Sequence, residues 1–331
     1  MASQALFDAV PPFPNAVVAA PMRTVLLGQL CAGDVQAAGV MLEACRDMGF
    51  FLLDLSGDAT GEQMVEEIDK IFGAGKEIMH LPEQVKKEYA HDPPRSFLGF
   101  KPRGMAKTET NEPDRFEWFN LGQDGLMGNE PLQPLPYHIH THLPLFTSFL
   151  EHCQTVAKTI NTALATQLGL PPNAFASLQD PAKVSGTVIR LIKADASPNA
   201  EHLRTSMIHH TDFGTITLLA NVVGGLQILA DSKAPTDPDA WLWVRPQPKC
   251  LIVNLGDAMV KWTGGILRSN VHRINFAPGE QRFVERLSLG VLFRPERNAS
   301  MRKLIGESDD GDEEDLTAWE WEVKKAMALR R

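Results

Sequence analysis

Apolar residues recur at intervals of three and four through residues 35 to 49, "VQAAGVMLEACRDMG", as on one face of an amphipathic helix, and the pattern stops at Gly49 in a C-cap position. The next run, "FFLLDL", is short and continuously apolar, which predicts a buried strand. A second helix fits residues 61 to 79, and "LPEQVKKEY" at 81 to 89 starts another turn or two with Pro82 near its first position. Residues 140 to 168 read as a long helix that begins near Thr141, carries Pro144 in its first turn and ends at Gly169. From about Val184 the texture changes to short apolar runs separated by Gly, Pro and Asn: "SGTVIRLI", "TITLLANV", "GGLQIL", "WLWVRP", "CLIVNLGD", "RINFAPGE", "RLSLGVLFRP". Their spacing predicts an antiparallel barrel or double sheet.

The chain therefore divides into a helix-rich region (1–140), a strand-rich core with its supporting helix (141–305), and a tail of acidic loop and terminal helix (306–331). The Asp and Glu spacing of the acidic run "ESDDGDEED" does not match a calcium loop, which needs a glycine at the sixth position and a distal glutamate, and the run reads as a solvated loop. No repeat of 20 to 50 residues is present.

Composition narrows the function classes. With 44% hydrophobic and 22% charged residues and a formal net charge of -9, the 331-residue chain has the make-up of a globular protein without the basic excess of a nucleic-acid binder. Cys31, Cys45, Cys153 and Cys250 are far apart and form no C-x-x-C pair, which argues for reduced, mostly buried thiols. No eighteen apolar residues run together and no basic residue precedes Arg23, so a cytosolic protein without signal peptide or membrane span is expected, with no obligate protein partner evident.

Candidate chemistry centres on "MIHHTDFGTITLL", residues 207 to 219. Consecutive side chains on a strand face opposite ways, so His209 and His210 cannot both reach one ion, whereas His210 and Asp212 share a face. Inside a small barrel, further ligands come from another inward-facing strand, where His272 is the candidate. Two histidines and one carboxylate on one face of a metal form the facial triad of non-haem Fe(II) oxygenases, which leaves positions open for cosubstrate and oxygen. Arg286 and Ser288, two apart on a later strand, suit the distal carboxylate of a dicarboxylic acid, because a guanidinium fork fixes both its position and its orientation.

H-T-D at 210 to 212, H-R-I at 272 to 274 and R-L-S at 286 to 288 resemble the Fe(II)- and 2-oxoglutarate-dependent oxygenases of the isopenicillin N synthase-like group. The resemblance runs over nearly the whole chain: "EACRDMGFFLLDLSG" looks like the group's N-terminal helix and first strand, and "WLWVRPQPKCLIVNLGDAMVKWTGGILRSNVHRI" like the stretch leading to its second metal histidine. It implies an α+β fold, a distorted double-stranded β-helix or jelly roll with the helical half packed against it. It also implies that His210, Asp212 and His272 hold Fe(II) and that Arg286 and Ser288 bind the C5 carboxylate of 2-oxoglutarate. Molecular oxygen and a small organic substrate complete the reaction, in which the keto acid yields succinate and carbon dioxide while the substrate is hydroxylated, desaturated or ring-rearranged. Specialised metabolism is the expected setting. Phe100, Arg103 and Phe119, in "FLGFKPRGMAKTETNEPDRFEWF", are the candidate substrate contacts. The chain departs from the group in places: Ile192 and Ala194 stand where an Asn and a cosubstrate-binding Tyr are frequent, and Thr263, Gly264 and Gly265 where T-N-G is.

Other readings use the same residues differently. A zinc hydrolase accepts two histidines and a carboxylate but leaves Arg286 and Ser288 without a task. An iron oxidase of the same group needs no keto acid, and a non-catalytic binding protein can share the fold. A rival metal site, His138, His140 and His142 in "YHIHTH", alternates as strand residues could but contains no carboxylate and leads into a helix.

Overall fold

The computed structural model describes residues 3–328 except 94, 109 and 307–314, so all of the acidic run but Asp315 lies outside the described residues. The N-terminal part supplies β1 (Thr24–Leu26), β2 (Phe50–Asp54), β3 (Gly99–Lys101) and β4 (Phe116–Gly122). The remaining strands are β5 (Val188–Ala194), β6 (Met207–His210), β7 (Ile216–Asn221), β8 (Leu226–Leu229), β9 (Trp241–Trp243), β10 (Cys250–Leu255), β11 (His272–Ile274) and β12 (Arg286–Leu292). They form an eight-stranded sheet in the order β1-β2-β10-β7-β12-β5-β4-β3 and a four-stranded sheet in the order β6-β11-β8-β9. Every ladder is antiparallel except β1 with β2. This is the jelly roll within an α+β chain that the sequence implies. The helix-rich region does more than pack against the barrel, since it contributes four strands to the larger sheet.

One face of the larger sheet turns to the smaller sheet and the other to a helical layer. Arg190, Ile192, Thr217, Leu219, Asn254 and Ser288 line the cavity between the sheets, whereas Leu191 and Leu287 meet the long helix Ala59–Met79 at Gly75. A Cβ at Gly75 would stand 3.4 Å from the tips of both leucines, so helix and sheet are already in contact. Behind that layer runs the helix Leu143–Gln167, with Pro144 in its first turn and Gly169 just past its end at φ +74°, as the sequence indicates. Its buried stripe of Phe146, Phe149, Leu150, Cys153, Val156 and Ile160 follows the three-and-four spacing of a helix face. Among the described residues no helix is long and apolar enough to cross a membrane.

The helix Val35–Asp47 is capped by the Asp34 carboxylate, which accepts from the amides of Gln36 and Ala37. It ends where Gly49 adopts φ +72° and donates its amide to Ala44 O at 2.9 Å. Gly49 O then accepts from Leu255 N at 3.0 Å, tying the helix end to β10. A Cβ at this position would lie 2.3 Å from Arg268 O. Left-handed backbone costs a non-glycine residue about 1–2 kcal/mol before any clash, so Gly49→Ala should destabilise the protein by at least that amount. Thermal or urea denaturation reads the loss, and an unchanged midpoint would refute it.

Candidate active site

β6 and β11 pair with His210 directly opposite His272, which brings the ring centroids to 4.4 Å. Strand alternation sends His209 the other way, to within 6.2 Å of the Trp241 ring. Asp212 is not on the strand at all: β6 ends at His210, and the carboxylate arrives on the turn that follows. It still reaches the same point, since Asp212 Oδ1 lies 3.9 Å from Nε2 of both His210 and His272. Donor atoms of all three residues fall within 4.8 Å of one another, and no other such group of His, Cys, Asp or Glu occurs among the described residues. The rival histidines form no strand; His138 and His140 sit in the short helix Tyr137–His140, and His142 precedes the next one.

Local hydrogen bonds prepare each donor for a metal. His210 Nδ1 is 2.9 Å from Ile208 O, and His272 Nδ1 is 3.1 Å from Asn270 O. A carbonyl can only accept, so both Nδ1 atoms carry the proton and both Nε2 lone pairs face the site. Asp212 Oδ2 is occupied by Thr217 Oγ1 at 2.7 Å and Asn254 Nδ2 at 2.8 Å, which leaves Oδ1 for the metal. Burial, and after it the nearby His272, pushes the His210 imidazole down to about 4. Burial would raise the Asp212 carboxyl, but the two histidines and the two hydrogen bonds outweigh it and hold the group at about 2. At neutral pH His210 is thus neutral and Asp212 ionised, the states that binding a metal requires. Two nitrogens, one oxygen and an open side fit a ferrous facial triad.

At the far end of the cavity Arg286 is 3% exposed. Its Nε donates to Gly224 O at 3.0 Å and its Nη1 to Ser288 Oγ at 3.0 Å, while Nη2 is buried without a partner. No carboxylate of the described residues pairs with it, and burial pushes its pKa down to about 10. A buried cation with an idle donor is set up for an anion.

The candidate substrate contacts do not reach this cavity. In the β4–β5 register Phe119 is opposite Leu191 and Trp118 opposite Ile192, and paired residues share a face. Phe119, with its β3 partner Phe100, therefore points to the helical layer, where both rings are fully buried core. Arg103 pairs with Asp195 and lines a surface pocket with Lys86, Glu117 and Lys193 on that same outer side. The parity of the register, which sequence alone does not fix, turns Phe100 and Phe119 away from the cavity, and Arg103, beyond the end of β3, is held outside it by Asp195.

A model of the 2OG-Fe(II) oxygenase superfamily matches residues 186–295, and one for the non-haem dioxygenase in morphine synthesis N-terminal region matches residues 27–139. The chain is 29% identical over 313 residues to a 2-oxoglutarate-dependent dioxygenase of Aspergillus fumigatus, an alignment covering 88% of this chain and 80% of that one. It belongs to the 2OG-Fe(II) oxygenase superfamily. A proline hydroxylase of Petromyces alliaceus is 28% identical over 278 residues, covering 78% of this chain and 84% of the relative. The fold is shared with a full-length Neurospora crassa protein solved in complex with alpha-KG, at a TM-score of 0.78 and 20% identity over 92% of this chain and 96% of that one.

For a 2OG-Fe(II) oxygenase, the residues that sequence reasoning missed are Thr217, Asn254 and Arg190. Each is a polar side chain that interrupts an apolar strand, "ITLLAN", "CLIVNL" and "VIRLIKA", the first and last of which also carry Asn221 and Lys193. That interruption is the signal that could have found them. Arg190 lines the metal cavity, donates Nε to Asn120 Oδ1 at 2.8 Å and stacks 4.1 Å above the Trp118 ring. Burial first, then the charge of Arg294, lowers its pKa to about 10.

Equilibrium dialysis against ferrous iron tests the donor set. His210→Ala should abolish iron retention and His209→Ala should preserve it. Loss of iron in the His209 variant alone would move the metal to the other face of β6.

Proposed function

We propose that His210, Asp212 and His272 hold ferrous iron, that Arg286 and Ser288 anchor the C5 carboxylate of 2-oxoglutarate, and that the substrate is a small organic molecule bearing an anionic group held by Arg190. One observation carries this reading: two guanidinium groups without carboxylate partners among the described residues, Arg190 and Arg286, line the cavity that contains the donor triad. Each asks for an anion, and the reaction brings two, the keto acid and the substrate. Iron at the triad supplies oxygen activation coupled to oxidative decarboxylation of the keto acid. The chain's own residues do the placing. Arg286 fixes the far end of the cosubstrate, and Asn120 and Trp118 hold the Arg190 fork rigid. Ile192, Leu219 and Leu226 keep the space between them apolar. A substrate pinned on Arg190 presents one C–H to the metal face, and the product is a hydroxylated, desaturated or ring-rearranged acid of specialised metabolism.

Release of carbon dioxide from C1 of 2-oxoglutarate, measured with small carboxylic acids and with their methyl esters, tests the substrate class. Acids should stimulate release in step with product, and Arg190→Gln should abolish that stimulation while the slow substrate-free release persists. Equal stimulation by esters would refute the role of Arg190, and full product formation without the keto acid would make the protein an oxidase. Arg286→Lys keeps charge but loses the fork. With one charge-assisted hydrogen bond worth about 1.5–3 kcal/mol, that variant should bind 2-oxoglutarate roughly ten- to a hundredfold more weakly, with iron affinity unchanged.

A further inference from the structure

Arg286 lines a second space besides the metal cavity, a narrow crevice bounded also by Arg115, Ala194, Arg204, Ser206 and Arg282. Three buried donors around it have no partner: Arg204 Nε, Ser206 Oγ and Arg286 Nη2. The rest of these side chains is committed. Arg204 Nη1 pairs with Glu112, and its Nη2 donates to Pro113 O at 3.2 Å. Ser206 is held by its backbone amide, which donates to Ile274 O at 2.7 Å, and its side chain is enclosed at 5% exposure. Arg115 Nη2 is spent on Ala196 O at 2.8 Å. The carboxylate in the lining, Asp195, is taken by Arg103. Four guanidinium groups thus border the crevice against one carboxylate that is already paired, and unpaired buried donors of this kind mark the place of an absent acceptor.

One wall of the crevice is a small side chain. Ala194 stands directly opposite Arg286 in the β5–β12 register, at the position where the sequence departs from a frequent cosubstrate-binding tyrosine. A methyl group there leaves open the space that a phenol would fill, and Arg204 and Ser206 border it from the segment leading into β6.

We propose that Ser206 and Arg204 complete the keto-acid site of this protein, donating to the distal carboxylate of 2-oxoglutarate together with Arg286 in place of the missing tyrosine. The proposal rests on the reading of Arg286 as the keto-acid arginine. It makes Ser206 a specificity residue for dicarboxylates, because its hydroxyl has no function toward a keto acid that ends in a methyl group.

Anaerobic calorimetry on the Fe(II)-loaded protein separates the cases, using 2-oxoglutarate and 2-oxovalerate, which has the same chain length and keto-acid end but a methyl in place of the distal carboxylate. Ser206→Ala should weaken 2-oxoglutarate binding about tenfold and leave 2-oxovalerate binding unchanged. Arg204→Gln should act in the same direction, and iron affinity and melting temperature should stay at wild-type values in both variants. Wild-type affinity for 2-oxoglutarate in both variants, alongside weakened binding in Arg286→Lys, would overturn the proposal and leave the reading of Arg286 standing. Equal weakening for both keto acids would also overturn it, since the effect would then lie away from the distal carboxylate. Unchanged 2-oxoglutarate affinity in Arg286→Lys itself would remove the underlying reading.

Discussion

Asp212 Oδ2 accepts one hydrogen bond from Thr217 and one from Asn254, and those two residues face each other across β7 and β10 of the larger sheet. The carboxylate can therefore turn only its other oxygen toward His210 and His272, which belong to the smaller sheet. A single side chain thus reports the distance between the two sheets. If the β6–β11 or the β7–β10 ladder slipped its register by one residue, alternation would carry part of the histidine pair or of the Thr217–Asn254 pair out of the cavity, and the donor set would be lost. The loop bearing Asp212 is pinned from outside as well. Asp257 donates its amide to Asp212 O at 2.8 Å, and its carboxylate accepts from Thr211 Oγ1 at 3.1 Å and pairs with Lys325 on the terminal helix Ala318–Ala328.

Much of this was legible in the chain. The helices, their glycine stops and the succession of short strands follow from periodicity and turn chemistry, which are local properties. The same local reasoning separated His209 from His210, because alternation needs no knowledge of the partner strand. Asp212 shows where it stopped being sufficient: the residue reaches the site from a turn, so a shared strand face was the wrong route to the right place. The strands contributed by the helix-rich region were partly hidden for another reason. β3 and β4 lie in a segment whose aromatic residues read equally as a pocket wall or as core, and only their pairing with β5 fixes which face each side chain takes.

That pairing explains the largest error and the largest omission together. Phe119 and Trp118 are neighbours in sequence, yet one is core beneath the helices and the other supports Arg190 over the cavity. A reading that favours bulky aromatics as substrate contacts selects whichever is more conspicuous, whereas the cavity selects by parity. A polar residue that interrupts an apolar strand is the better guide, because burying it needs a compensating partner, and where no protein group supplies one a ligand is a candidate. By that criterion Thr217 and Asn254 are explained by Asp212, whereas Arg286 keeps Nη2 without a partner and neither Arg190 nor Arg286 is ion-paired with a carboxylate among the described residues. The formal net charge of -9 gives no hint of this: the cavity lining holds two arginines and one carboxylate, Asp212, whose oxygens are already turned to Thr217, Asn254 and the two histidines.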